Sequence, residues 1–432
     1  MKNKKYLLLL LVAFFAFSAF GLKSCSGDEE AEPEPIDLVY WRLWDDRAVF
    51  DPLIEAYQAE NPHVNITYRK LTFSEYEGAI VDALASGKGP DIWSIHNTWL
   101  PKHIDKLEPA PADLITLNDY QDTFVDVASK DFVDSEGQIY AIPMSVDTAA
   151  LYYNKDLLNT AFVVEPPATW TDFKEAVKKL TATDESGEII RSGVSMGTAY
   201  NVNRSPDILS LLMLQNGAQM VNDAKTAATF NQSATTSDGE SYFPGLEALI
   251  FYTDFSNPRK SVYTWTPTMP NSIDAFVAEE SAMMFSYAYQ QEVLKEKSPK
   301  LNFGVATMPQ IENTPKEVNY ANYWGEVVSK SSEHKEEAWK FLTFLAKKNV
   351  SEKYVELTGR PAARKDIVKD QLEDPKLRIF AGQALTADSW YQKDPSAVDN
   401  IFSKMIESVV LGESEPEDAL NSANQKITTQ MQ

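Results

Sequence analysis

Asp147 is the first side chain that asks for a chemical reason. It sits in MSVDT at 144–148, between a short run over 138–143 that closes on Pro143 and a Leu- and Tyr-rich run over 149–154. Proline cannot donate to a central ladder, so the first run suits a strand end, and the second has strand composition. A carboxylate set among apolar residues must be paired or must face a cavity. Those residues leave two readings open, a solvated loop Asp in a single domain or a hinge beside a ligand site. Trp44, Asp45 and Asp46 close one apolar run, and Asn97 and Trp99 follow another. Each group could contact a ligand, or serve as a core ring beside helix-capping polar residues. No nucleophile elbow, P-loop or dinucleotide motif occurs, and four His form no HExxH. Binding without a cofactor or metal is therefore the leading chemistry. A carboxylate pair such as Asp45 and Asp147, acting on a glycosidic bond, is the enzymatic alternative.

The elements that must carry these residues read as α/β. A strand is predicted over 38–44, a helix over 48–60 stopped by Asn61-Pro62, a strand over 64–71, a helix over 74–86 capped by Ser74 and ended by Gly87, and a turn into a third strand over 89–95. Such a β-α-β-α-β run calls for a parallel sheet covered by helices, with ligands at the carboxyl ends of strands. Those ends hold Trp44-Asp45-Asp46 and 96–99. Further on, helices are expected over 120–132, from Thr171 as N-cap to Leu180, over 205–215, 246–255, 271–279 and 333–347, and around 377, 402 and 420. Strands are expected over 191–198, 281–286, 301–307 and 324–330. At 432 residues the chain exceeds one ordinary core and calls for two domains.

Lys and Arg number 40 against 63 Asp and Glu, a formal charge of −23, which argues against nucleic acid and anionic lipid as partners. Residues 1–24, with a lysine-rich start and an apolar run over 6–22, resemble a bacterial lipoprotein signal, with the single cysteine, Cys25, as the acylated residue. Lys23 departs from the small or apolar residue usual there, so an uncleaved anchor is the alternative. Removing the four lysines of 1–24 would take the charge to −27. Residues 25–36, acidic and proline-bearing, are expected to be a disordered tether.

Six motifs, in order, carry a wider resemblance: KGPDI at 88–92, IYAIP at 139–143 followed by LYYNKD at 151–156, PATWTDF at 167–173, SAMMF at 281–285, AWKFL at 338–342 and GRP at 359–361. Together they resemble extracellular solute-binding protein family 1, the maltose-binding-like lipoproteins of sugar ABC importers. The resemblance implies a periplasmic-binding-protein-like fold, two α/β lobes joined by extended crossovers around a cleft, closing like a hinge. It places 37–146 and 284–326 in the N-terminal lobe, and 147–283 and 327–432 in the C-terminal lobe. The crossovers would be 146–148 and 283–286, with a return into the second lobe near 326–329. It implies a monomeric, membrane-tethered protein outside the cytoplasm, whose partners are a carbohydrate and the importer's transmembrane subunits. A polyamine or metal complex is the alternative ligand.

Sugars are bound by flat rings against their C–H faces and by planar polar groups that take hydroxyl pairs. The implied site is Trp44, Asp45, Asp46, Asn97, Trp99, Asp147, Trp265, Tyr289, Trp324 and Arg360. Trp265, in a loop without apolar periodicity, is expected to be an exposed stacking platform. Tyr289 shares that role with Tyr287 as its rival, and Arg360, in the GRP break, could clamp hydroxyls or pair with a carboxylate.

Overall fold

The structure, a computed structural model, describes residues 34–236, 238–314 and 316–432. The signal expected over 1–24, Cys25 and most of the expected tether lie outside the described residues. Ile36, grouped with that tether, instead opens the first strand.

In the first lobe Ile36–Leu43 pairs in parallel with Val64–Leu71 over eight residue pairs and, on its other side, with Ile92–His96. The strand Val64–Leu71 turns Val64, Ile66 and Tyr68 inward and their neighbours outward, the alternation of a sheet edge with one wet face. Helix Arg47–Glu60 covers the sheet with Phe50, Leu53, Ile54 and Tyr57. Trp324–Ser329 then inserts antiparallel beside Ile92–His96 and pairs beyond it with Leu107–Glu108 and Ile142–Pro143. Gly325 makes this insertion fit, since a Cβ there would stand 2.7 Å from the Phe132 ring. The first core draws on residues 38–146 and 321–384.

The second lobe is built on Ala150–Asn154, flanked antiparallel by Met283–Ser286 and Phe303–Ala306. Helices Trp170–Leu180, Ser205–Gln215, Pro244–Asp254, Pro395–Val410 and Pro416–Met431 enclose it. Its main core draws on residues 151–320 and 390–427. Between the cores the chain crosses three times, and the crossings form a small sheet of their own. Asp147–Thr148 pairs antiparallel with Asn319–Asn322, which pairs in parallel with Ala387–Asp388.

This corrects the predicted division of the chain. Met283–Ser286 is no crossover: each of its four residues pairs with the central strand of the second lobe and is buried there. Trp324–Ser329 returns the chain to the first lobe, because it pairs with Ile92–His96. Residues 284–320 therefore belong with the second core and 324–384 largely with the first. Smaller differences have local causes. The helix expected over 120–132 is two, Leu117–Thr123 and Asp126–Phe132, because the Val125 amide donates to Ala363 instead. Thr169, not Thr171, caps Trp170–Leu180 by accepting from the Asp172 amide. Thr72 precedes the helix Phe73–Ala85, where Ser74 was expected. Of 191–198 only the end of Ile189–Arg191 is strand. Among the described residues no helix is long and apolar enough to cross a membrane.

Candidate ligand-binding site

The crossings bring the floor of the site together. Asp147 stands opposite Asn322 in the hinge sheet. Its Oδ1 accepts from the Thr148 amide at 2.8 Å, and both oxygens accept from the Ala288 amide at 3.0 and 2.9 Å. Burial pushes this carboxyl up to about 7, against the pull of those amides and of Arg360. Asp147 thus fastens the turn after Met283–Ser286 to the hinge, with acceptor capacity left over. Beside it, His96 Nε2 lies 3.3 Å from Asn322 Oδ1 and Nδ1 lies 2.8 Å from Thr98 Oγ1. Burial, helped by the charge of Arg204, lowers His96 to about 4, so the imidazole is neutral near pH 7. Trp324 pairs with His96 across the sheet, its ring edge-on at 5.3 Å.

Arg360 reaches the floor from the GRP break. Gly359, at φ +63°, ends helix Lys348–Thr358 in the left-handed conformation that glycine tolerates. The Pro361 carbonyl then accepts from the Val146 amide at 3.2 Å, which lays the segment along the first crossing. The guanidinium grips Asp45, Nη2 to Oδ1 at 2.8 Å and Nη1 to Oδ2 at 3.2 Å, and Nη1 also donates to the Tyr354 hydroxyl at 3.0 Å. Its side chain is still 30 % exposed. At the rim Trp44 has a left-handed backbone, φ +67°, and its half-exposed ring stacks on exposed Phe73 at 5.5 Å.

The second lobe supplies the opposite wall. Tyr289 is 52 % exposed and lies parallel to buried Tyr287 at 6.3 Å. Arg204, left-handed at φ +61°, pairs with Asp207 at 2.6 Å and lies 5.8 Å over the Tyr287 ring. Tyr287 donates its hydroxyl to Asp207. Burial and then the neighbouring Asp207 push Asp399 up to about 6, with Arg204 opposing.

The ten expected residues separate accordingly. Trp44, Asp147, Tyr289, Trp324 and Arg360 keep at least partly exposed side chains. Asp46 is exposed at the rim, paired with Lys70 at 2.7 Å. Asp45 is buried and committed to Arg42, Arg360 and Tyr354. Asn97 is buried, its Nδ2 donating to Asp131 at 3.0 Å, and buried Trp99 packs on Trp324 at 5.1 Å. These three support the wall and do not line it. Trp265 contradicts the expectation of an exposed platform. It is 1 % exposed in the second core, where its indole N–H donates to Asn201 Oδ1 at 3.2 Å. A loop without periodicity can still be folded over a core by pairing far along the chain.

His96, Arg204, Asp207, Asn322 and Phe73 were not singled out from sequence. His96 ends a predicted strand on the ligand side, and Arg204 with Asp207 brackets a helix start at Ser205-Pro206, so both left a signal. Two surface cavities of about 380 and 440 Å³ lie elsewhere, against Lys106 and Lys330 and against Glu407 and Lys426. Among the described residues no group of His, Cys, Asp and Glu could hold a metal ion.

This architecture recurs in known proteins. The galactooligosaccharide-binding protein of Bacillus subtilis is 23 % identical over 433 residues, 98 % of this chain and 96 % of that one. The maltotriose-binding protein of Pyrococcus abyssi is 24 % identical over 319 residues, 73 % of this chain and 63 % of that one. The solved sugar-binding protein MalE from the phytopathogen Xanthomonas citri superposes with a TM-score of 0.75 at 21 % identity, covering 91 % of this chain and 97 % of its own. Residues 52–379 match the model of the bacterial extracellular solute-binding proteins, and the chain belongs to that family.

Proposed function

We propose that this protein captures a sugar or oligosaccharide between its lobes and delivers it to an ABC importer, without cleaving it. What supports the reading is that exposed rings, Trp44 on one lobe and Tyr289 on the other, with half-buried Trp324, accompany the partly exposed planar groups of Asp147 and Arg360 beside the crossings. Rings and forked donors are what a polyhydroxylated ring needs on its face and at its edge. The sugar names of the relatives support it. Asp45, held by two arginines, is poorly placed to act as the acid or nucleophile of a hydrolase.

Calorimetry with neutral malto- and galactooligosaccharides and with spermidine tests the reading. Saturable binding of at least one sugar, with no new reducing ends on incubation, is expected. Binding of spermidine alone, or release of reducing ends, overturns it. The membrane tether is a separate part of the proposal. Cys25→Ala should release the protein into the soluble fraction with ligand affinity unchanged, and a variant that stays membrane-bound would favour an uncleaved anchor over lipidation.

A further inference from the structure

We infer that Glu326, with Arg42 and Tyr354, is a positioning residue for ligand binding, rooting a buried chain of ions that holds the Arg360 guanidinium at the cleft floor. The chain starts in the sheet. Glu326 is fully buried on Trp324–Ser329, paired across the backbone with Ser94 and Ile142. Its Oε2 accepts from Ser94 Oγ at 2.7 Å and its Oε1 from Arg42 Nε at 2.8 Å. Arg42, 3 % exposed and packed 4.6 Å over the Phe50 ring, passes to Asp45 through Nη1 and to the Tyr354 hydroxyl through Nη2 at 3.1 Å. Asp45 and that same hydroxyl then take the Arg360 fork. Carboxylates and guanidinium groups alternate, so charge balances along the chain, and only its last member reaches the cleft.

Burying two ion pairs is a poor route to stability, because desolvation offsets most of the attraction and an apolar replacement is often as stable. Fixing a group is a better account. A free arginine loses several rotatable bonds on gripping a ligand, whereas a fork already held on one side loses less. Burial raises the Tyr354 hydroxyl, but Arg360 and Arg42 outweigh it and hold the hydroxyl below its ordinary range, consistent with a phenol between two cations.

The inference rests on the cleft reading above, and its test is arranged so that the two can fail separately. Tyr354→Phe and Glu326→Gln are made in the full chain, and each is probed by phenylglyoxal labelling with peptide mapping and by maltotriose titration. Labelling of Arg360 should rise about fivefold in Glu326→Gln, which removes a charge at the root of the chain, and less in Tyr354→Phe, which removes a neutral hydroxyl shared by Arg42, Asp45 and Arg360, with Arg364 unchanged. Maltotriose affinity should fall about tenfold and about threefold respectively. In an Arg360→Lys background, which removes the fork, Glu326→Gln should cost less than about twofold more. A purely structural Glu326 would lower affinity alike in both backgrounds, and unchanged Arg360 labelling in both variants would equally overturn the inference. If the wild-type protein ignores maltotriose, the choice of that sugar fails, and the labelling alone decides whether Arg360 is positioned. Should Glu326→Gln not fold, Tyr354→Phe, which removes a single oxygen, carries both measurements.

Discussion

The two lobes hold their cleft groups by different means. Behind its cleft face the first lobe keeps Arg42, Asp45 and Glu326, all 5 % exposed or less, in one connected chain. The second fills the corresponding depth with rings, among them Trp170, Phe173, Phe255 and Phe285 in mutual contact. Its buried Glu407 takes backbone amides of Ala199 and Tyr200 and, among the described residues, meets no cation within ion-pairing distance. Side-chain ions thus run in a connected chain behind the first wall, while the second has the single pair of Arg204 with Asp207 and a turn whose amide is fastened to the hinge at Asp147. A group held by ions fails when one charge is removed, and a group held by packing fails when volume is removed.

The largest effects should come from breaking each core in its own terms. Arg42→Ala leaves buried Glu326 without a cation and Asp45 with Arg360 alone, and should cost about 3–5 kcal/mol in denaturant unfolding. Trp265→Ala opens a cavity in the second lobe and should cost about 3–5 kcal/mol as well, but the protein that stays folded should bind ligand normally. Normal stability with lost binding would return Trp265 to the cleft. Tyr289→Ala should do the reverse, weakening sugar binding by roughly 1–3 kcal/mol while the melting temperature of the unliganded protein barely moves. A large drop in melting temperature would make that ring part of the core.

A pH-dependent effect concerns the hinge between them. Folded Asp147 holds its proton to about pH 7, above its ordinary carboxyl value, so between pH 4 and 7 the folded protein binds a proton that the unfolded chain has released. That contribution to stability is present at the acid end, fades as pH rises through this window and is gone above it. Asp131 and Asp399, both pushed to about 6 by burial, act in the same sense. Asp147→Asn should therefore flatten the fall in unfolding free energy from pH 4 to 7, and an unchanged slope would assign it elsewhere.

Much of this was legible in the chain. Val64–Leu71 shows its face by alternation, and Lys335–Leu345 by the spacing of Ala338, Phe341, Leu342 and Leu345. Of the crossings only the one at 146–148 was expected. Asp147–Thr148 and Ala387–Asp388 are two residues each, too short for any periodic signature, and the crossover expected over 283–286 came from the resemblance and not from its residues, which are buried throughout. Trp265 was misread because its burial depends on Asn201, 64 residues away. Glu326 and Arg42 did leave a trace that went unused. Strands buried on both faces run almost wholly apolar, so a charge inside WGEVVS or LVYWRL is itself a sign of a buried partner.

The place of Trp324–Ser329 in the first sheet also sets a timetable for folding. It lies between Ile92–His96 and Leu107–Glu108, so two strands made early have no shared neighbour until more than two hundred further residues have been synthesised. The second lobe waits longer, for helices that end at Met431. Neither lobe can close as an independent N-terminal unit, and the nascent chain stays open over most of its length, with the slow, non-local closure such connectivity brings. The proposed membrane tether would require export before folding, which such a delay favours. A fragment ending before Trp324 should remain protease-sensitive throughout, in both halves at once.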